Sequence, residues 1–211
     1  MPEIVFLNLE NADKVFVECV ENEKRELRRL VRNLSPADRP SIKYIDAENE
    51  VEIHNAIVSA TKILHIAGHG HYFGKIQSAS KTGSRTLNRL KSFSDFLVSR
   101  NEYLDISCVI LDSCFSAGFP WRYQLARALG PNREITVLGS SLKIGYKEAE
   151  EFFANFYGTL LATKLPARRR SLRTRIESAF NSAQNSYLDD HGDYSRMRTF
   201  TLQNVCQISN H

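Results

Sequence analysis

Lys62–Gly70 reads KILHIAGHG and Ile106–Gly118 reads ISCVILDSCFSAG. Each stretch opens as an almost unbroken apolar run, Lys62–Ala67 and Ile106–Leu111, then breaks into small and reactive residues. Continuous rather than alternating apolar strands are what a parallel sheet covered on both faces requires. In such a sheet the ligand lies beyond the carboxyl ends of the strands. The two runs therefore predict neighbouring strands that deliver His69 and Cys114 to one rim. The 45 residues between them leave room for the crossover that parallel neighbours need.

The pattern repeats outward from these strands. Glu3–Leu9 and Ile42–Ile45 read as strands, with Leu27, Leu30, Val31 and Leu34 forming one apolar helical stripe between them. Ile53, Ala56, Ile57 and Ala60 predict a second helix, and Phe93, Phe96 and Leu97 suggest another. Beyond the second motif come a helix on Trp121, Leu125, Ala128 and Leu129 and a strand over Glu134–Gly139. Two more helices follow, on Ala149–Leu161 and Leu172–Tyr187, and Met197–Asn204 is expected to close the sheet. Gln77–Arg89 and Pro166–Arg170 are expected to be loose. Strands alternating with helices give one α/β domain over residues 1–211, a three-layer α/β/α stack with a mostly parallel central sheet.

Composition sets outer limits. The 211 residues are 42% hydrophobic and 25% charged, with a net charge of +4. That usage fits a globular chain, and the charge is too small to imply a nucleic-acid partner. No run of 18 apolar residues predicts a membrane span. The first residues, MPEIVFLNLENADK, lack the basic leader of a secretory signal, and four cysteines are too few for a disulfide scaffold. A cytoplasmic protein is expected.

A Cys–His pair at one rim has a definite use. A free thiol near pKa 8.5 is only slightly ionised at neutral pH, and an imidazole beside it supplies the missing basicity. Attack on a carbonyl then creates an oxyanion, for which the backbone N–H groups of Gly70 and Cys114 are the candidate donors. Small residues on both loops let a substrate approach the backbone.

The pair of motifs, HIAGHG at His65–Gly70 and ILDSCFSAG at Ile110–Gly118, resembles the caspase-like cysteine peptidases. The DSC form is similar to metacaspases, and VLGSSLKIGYKEAEEFFANFYGTLL (Val137–Leu161), AFNSAQNSY and TFTLQNV are similar to the bacterial CHAT branch. The resemblance implies a caspase-like fold, with His69 as general base or acid and Cys114 as nucleophile. It places Asp112 in the pocket for a substrate Lys or Arg, and Ser140 and Ser141 along the substrate backbone. It further implies an endopeptidase without cofactor or metal, acting on protein or peptide substrates. Control by a separate regulatory protein is expected, and a bacterial antiviral-defence or stress role follows by analogy only. A catalytically silent docking module of the same fold is the alternative, which the presence of both His69 and Cys114 opposes.

Other residues take plainer readings. His65, inside an apolar strand, is expected to be a core histidine, and His71 to line the cleft or face solvent. A zinc set of His65, His69, His71 and Cys114 is disfavoured, because strand residues four apart lie about 13 Å from one another. Cys108 reads as core, Cys19 and Cys206 have no partner signature, and Asp112 could instead cap a helix. The basic run Arg168–Arg175 reads as a solvated helix face, with a patch for acidic partners or a self-cleaved loop as alternatives.

Overall fold

The computed structural model describes residues 2–71, 75–79, 85–89, 104, 106–129, 133–191 and 200–206. Its centre is a six-stranded sheet in the order β2-β1-β3-β7-β8-β9. The strands are β1 (Ile4–Asn8), β2 (Ile42–Asp46), β3 (Ile63–Ala67), β7 (Cys108–Asp112), β8 (Glu134–Ser140) and β9 (Phe200–Cys206). Neighbours from β2 to β8 pair in parallel, and β9 runs antiparallel to β8. β1, β3 and β7 are buried along their whole length. Successive residues feed opposite layers: Val5 and Leu7 join one core, Ile4 and Phe6 the other. That period of two with both faces apolar explains why the strands read as continuous runs.

Among the described residues, five helices cover the sheet: α1 (Lys14–Asn33), α2 (Glu50–Ser59), α3 (Phe119–Ala128), α4 (Tyr146–Leu160) and α5 (Arg169–His191). Ile53, Ala56 and Ile57 of α2 pack with Leu125 and Ala126 of α3 on one face. On the other, Phe16, Val20 and Leu27 of α1 meet Phe152, Phe153 and Phe156 of α4 and Leu172 and Ile176 of α5. This is the three-layer α/β/α architecture that the alternation predicts. Among the described residues, no helix is long and apolar enough to cross a membrane.

Two expectations need correction. Gln77–Arg89 is not simply a loose segment: β5 (Lys75–Ala79) pairs with β4 (His69–His71) and β6 (Arg85–Arg89) in a second, antiparallel sheet. A polar strand gains its ladder hydrogen bonds without an apolar face, so hydropathy does not reveal it. Pro166–Arg170 is also shorter than expected as a loop, because Arg169 already opens α5 and its guanidinium donates to the Ile106 carbonyl. The basic run is partly tied down: Arg173 pairs with Glu134 and Glu177, and Arg175 donates to the Thr163 and Lys164 carbonyls. The helix expected at Phe93–Leu97 lies outside the described residues.

Candidate active site

The sheet register brings the two motifs together. β3 and β7 pair with Ala67 opposite Asp112, and the Gly68 N–H donates to the Asp112 carbonyl at 3.1 Å. Two residues further along each strand stand His69 and Cys114, which line one cleft at the carboxyl rim. The loops touch at Gly70: a Cβ built there would lie 2.0 Å from the Cys114 carbonyl oxygen and 2.9 Å from its carbon. Only glycine permits that approach.

The turn after β7 is held from below. Ser116 Oγ donates to the Leu111 carbonyl at 2.8 Å and accepts from the Ser140 N–H at 3.0 Å. Phe115 takes a positive φ of 57°, an uncommon conformation for an aromatic residue, immediately after Cys114. The N–H groups of Ser113, Phe115 and Ala117 bond to the carbonyls of Leu111, Leu142 and Ser140. The Cys114 N–H has no acceptor among the described residues. Cys114 Sγ is part-buried, 3.9 Å from the Ile144 carbonyl.

The His69 ring is held by groups from the start of α1. Its Nε2 lies 3.6 Å from Asp13 Oδ2 and 3.8 Å from Glu10 Oε2, with Phe16 at 5.0 Å between ring centroids. Asp13 is the N-cap of α1, accepting from the Val15 and Phe16 N–H groups, and the Tyr146 hydroxyl donates to its other oxygen. Burial pushes the Asp13 carboxyl up, but those hydrogen bonds and the His69 charge outweigh it and hold the group below its ordinary value. Glu10 is fully buried, with Oε1 accepting from the Ala12 and Asp13 N–H groups and Oε2 making no hydrogen bond beyond its approach to His69.

Beside this pair opens a narrow cleft. Phe16, Val20, Ile144, Tyr146 and Ala149 supply apolar wall, and Glu23 and Asp112 supply carboxylates. The Glu23 and Asp112 side chains are 5% and 6% exposed. The Glu23 carboxyl is pushed well up, by burial first and then by the neighbouring Asp112 carboxylate. Glu23 Oε2 and Ser113 Oγ are buried without a hydrogen-bond partner. His65 lies beneath, fully buried as its sequence context predicts, stacked on Phe6 at 4.2 Å with Nδ1 2.9 Å from the Tyr157 hydroxyl. Burial lowers its pKa, against the pull of Asp112, and keeps the ring neutral.

The sequence-predicted residues therefore divide. His69, Gly70, Cys114 and Asp112 meet at one rim, and Asp112 lines the cleft rather than capping a helix, since the next helix begins at Phe119. Ser140, expected beside the substrate, is fully buried, and its N–H, carbonyl and hydroxyl are all committed within the protein. Its neighbour Ser141 is exposed. The side chain of His71 lies outside the described residues. Cys108 is core and Cys206 exposed, while Cys19 lines the cleft as a free thiol. Glu10, Asp13, Glu23 and Tyr146 were not among the expected site residues. A sequence signal that could point to one of them is Asp13 as a helix N-cap, and it says nothing about His69.

No protein-family model and no curated protein sequence matches the chain. Solved structures do match in shape. The RgpB pro- and mature-domain complex of Porphyromonas gingivalis aligns with a TM-score of 0.56 at 9% identity, over 95% of this chain and 46% of that one. The Arg-specific cysteine proteinase gingipain R gives 0.57 at 8% identity, over 95% of this chain and 46% of that one. A secreted C11 cysteine protease of Bacteroides thetaiotaomicron gives 0.50 at 10% identity, over 89% of this chain and 63% of that one. An inactive zymogen C11 protease of Parabacteroides distasonis gives 0.50 at 11% identity, covering 88% and 59%. At these identities the likeness establishes the fold, a caspase-like α/β/α sandwich. The chain spans less than two thirds of the length of these neighbours.

Proposed function

We propose that the chain is a cysteine endopeptidase cleaving protein substrates after Arg or Lys. The observation that carries this reading is the cleft. It opens beside both His69 and Cys114 and passes apolar walls to two buried carboxylates. A Lys or Arg side chain has the matching shape, an apolar stem with a charged head. Glu23, a buried acid with an unpartnered oxygen, favours a cation that brings its own N–H donors. Two neighbours of the same fold are named as an Arg-specific proteinase and its pro-domain complex, which supports the same preference.

The Cys114 thiolate attacks the scissile carbonyl carbon, and the Gly70 and Cys114 N–H groups receive the oxyanion. His69 gives its proton to the departing amine, leaving a thioester on Cys114. Water, deprotonated by His69, then releases the acid product. Because Nε2 of His69 faces Asp13 and Glu10, Nδ1 is the nitrogen left for this proton traffic. The two carboxylates orient the ring. Affiliation with the CHAT-type branch, and control by a second protein, belong to the same proposal. The zymogen and pro-domain neighbours support the idea of restrained activity.

Fluorogenic peptides ending in Arg, Lys, Leu or Asp test the reading. Arg and Lys peptides are expected to be cut at least tenfold faster than the others, with no cleavage by Cys114→Ala. Equal rates across the panel, or cleavage surviving in Cys114→Ala, would contradict it.

A further inference from the structure

Three side chains from three elements converge beneath the cleft: Glu23 from α1, His65 from β3 and Asp112 from the end of β7. One ligand atom from each lies within 4.8 Å of the others, and His65 Nε2 stands 4.0 Å from both Glu23 Oε2 and Asp112 Oδ2. All three side chains are more than nine-tenths buried. Glu23 Oε2 and His65 Nε2 have no hydrogen-bond partner, although both face this point. Buried polar atoms are paired almost everywhere in folded proteins, so two orphans aimed at one spot indicate a missing partner. A cation fits the spot, since two acidic side chains and an imidazole nitrogen face it.

We infer that Glu23, His65 and Asp112 form a binding site for a divalent transition-metal ion of the zinc type, at the floor of the cleft. Imidazole with two carboxylates is a mixed N/O set that suits zinc, manganese or iron, whereas calcium and magnesium take oxygen alone. The Tyr157 hydroxyl on His65 Nδ1 is the outer partner that fixes a ligating ring and points its other nitrogen at the metal. Bonds of about 2.0–2.2 Å would draw the ligand atoms to roughly 3.5 Å apart. Starting from 4.0–4.8 Å, the two carboxylates close on a ring already pinned by Phe6 and Tyr157. The ion's two charges balance those of the carboxylates, so no net charge is left buried.

Metal binding stands independently of the peptidase reading. Its consequence rests on that reading: an ion at the floor occupies the place of the substrate's basic head, so it inhibits competitively with Arg and Lys peptides.

The experiment titrates ZnCl₂ into metal-stripped full-length Cys114→Ala protein by calorimetry, which removes the thiol as a competing ligand. One ion per chain is expected. Glu23→Gln in the same background keeps the side-chain shape and is expected to weaken binding at least tenfold, with CoCl₂ losing its visible absorption bands in parallel. His65→Gln repeats the comparison, and thermal melting checks that each variant is folded. No stoichiometric ion in Cys114→Ala, or an affinity unchanged by Glu23→Gln, overturns the site and leaves the peptide-cleavage test unaffected. In the active protein zinc is expected to raise KM for Arg peptides without lowering kcat. A fall in kcat at constant KM overturns the competition.

Discussion

Gly70→Ala is the most informative single substitution. The added methyl carbon would sit 2.0 Å from the Cys114 carbonyl oxygen, 2.9 Å from its carbon and 3.0 Å from its nitrogen. Real Cβ contacts do not fall below 3.0 Å, and all three atoms are backbone, so no side chain can swing away. The His69 loop must move off the Cys114 loop by at least about 1 Å, on the 2.0 Å contact alone. A misplacement of that size costs about 100-fold in rate at a catalytic centre, and overpacking costs about 1–3 kcal/mol of stability. The assay compares kcat/KM on an Arg peptide, the iodoacetamide labelling rate of Cys114 and the urea midpoint. Gly158→Ala is the control: it lies inside α4 with nothing within 4 Å of the new carbon, so it should gain about 0.5–1 kcal/mol and leave activity unchanged. Wild-type kcat/KM in a folded Gly70→Ala protein would refute the close contact between the two loops.

Other consequences follow from the groups around His69 and His65. Asp13→Asn keeps the cap on α1, so stability at neutral pH should change by only a few tenths of a kcal/mol. It should nevertheless lower kcat/KM on an Arg peptide, because the carboxylate that orients the His69 ring from 3.6 Å is gone. The Asp13 carboxyl is held below its unfolded value of 3.8, so its stabilisation is present above that pH and lost as pH falls through the lower folded value. Acid unfolding of Asp13→Asn should lack that part of the loss, and an acid transition identical to wild type would contradict it. Tyr157→Phe leaves the buried His65 Nδ1 without its partner and should cost about 1–3 kcal/mol at unchanged m value in urea. A neutral result would show that the pairing carries no net stability. Iodoacetamide should label Cys114 and spare Cys108, which is fully buried and whose thiol burial pushes far up.

The layered fold was legible because its cause is local: strands buried on both faces must be apolar throughout, and β3 and β7 announce themselves that way. The His–Cys pair followed, because two loops leaving adjacent parallel strands at matching register arrive together. What the sequence hid lies on α1. Glu23 and Lys24 fall in ENEKRE, a charge run that reads as solvated, yet both are buried. Lys24 pairs with Glu21 and Asp46, and Glu23 turns its carboxyl toward the cleft. Which charged residue of a helix faces inward is set by packing across the sheet, and a helical period cannot assign it when the partners are acid and base rather than apolar. Glu10 and Asp13 were missed for a related reason. They sit beyond β1 as turn and cap residues, and only the sheet order β1-β3-β7 brings that turn to His69. Ser140 shows the converse, a polar residue at the right rim whose hydrogen bonds are already spent holding the turn behind Cys114.

The most direct test of a thiol working beside an acidic cleft is covalent capture. Purified full-length protein is treated with peptidyl acyloxymethyl ketones carrying Arg or Asp next to the reactive group, and the intact mass is measured. The Arg reagent should add one adduct, mapped to Cys114, while the Asp reagent adds none; Asp112→Asn should lose the Arg preference but still react with iodoacetamide. Equal capture by both reagents, or an adduct on Cys19 in place of Cys114, would contradict the account.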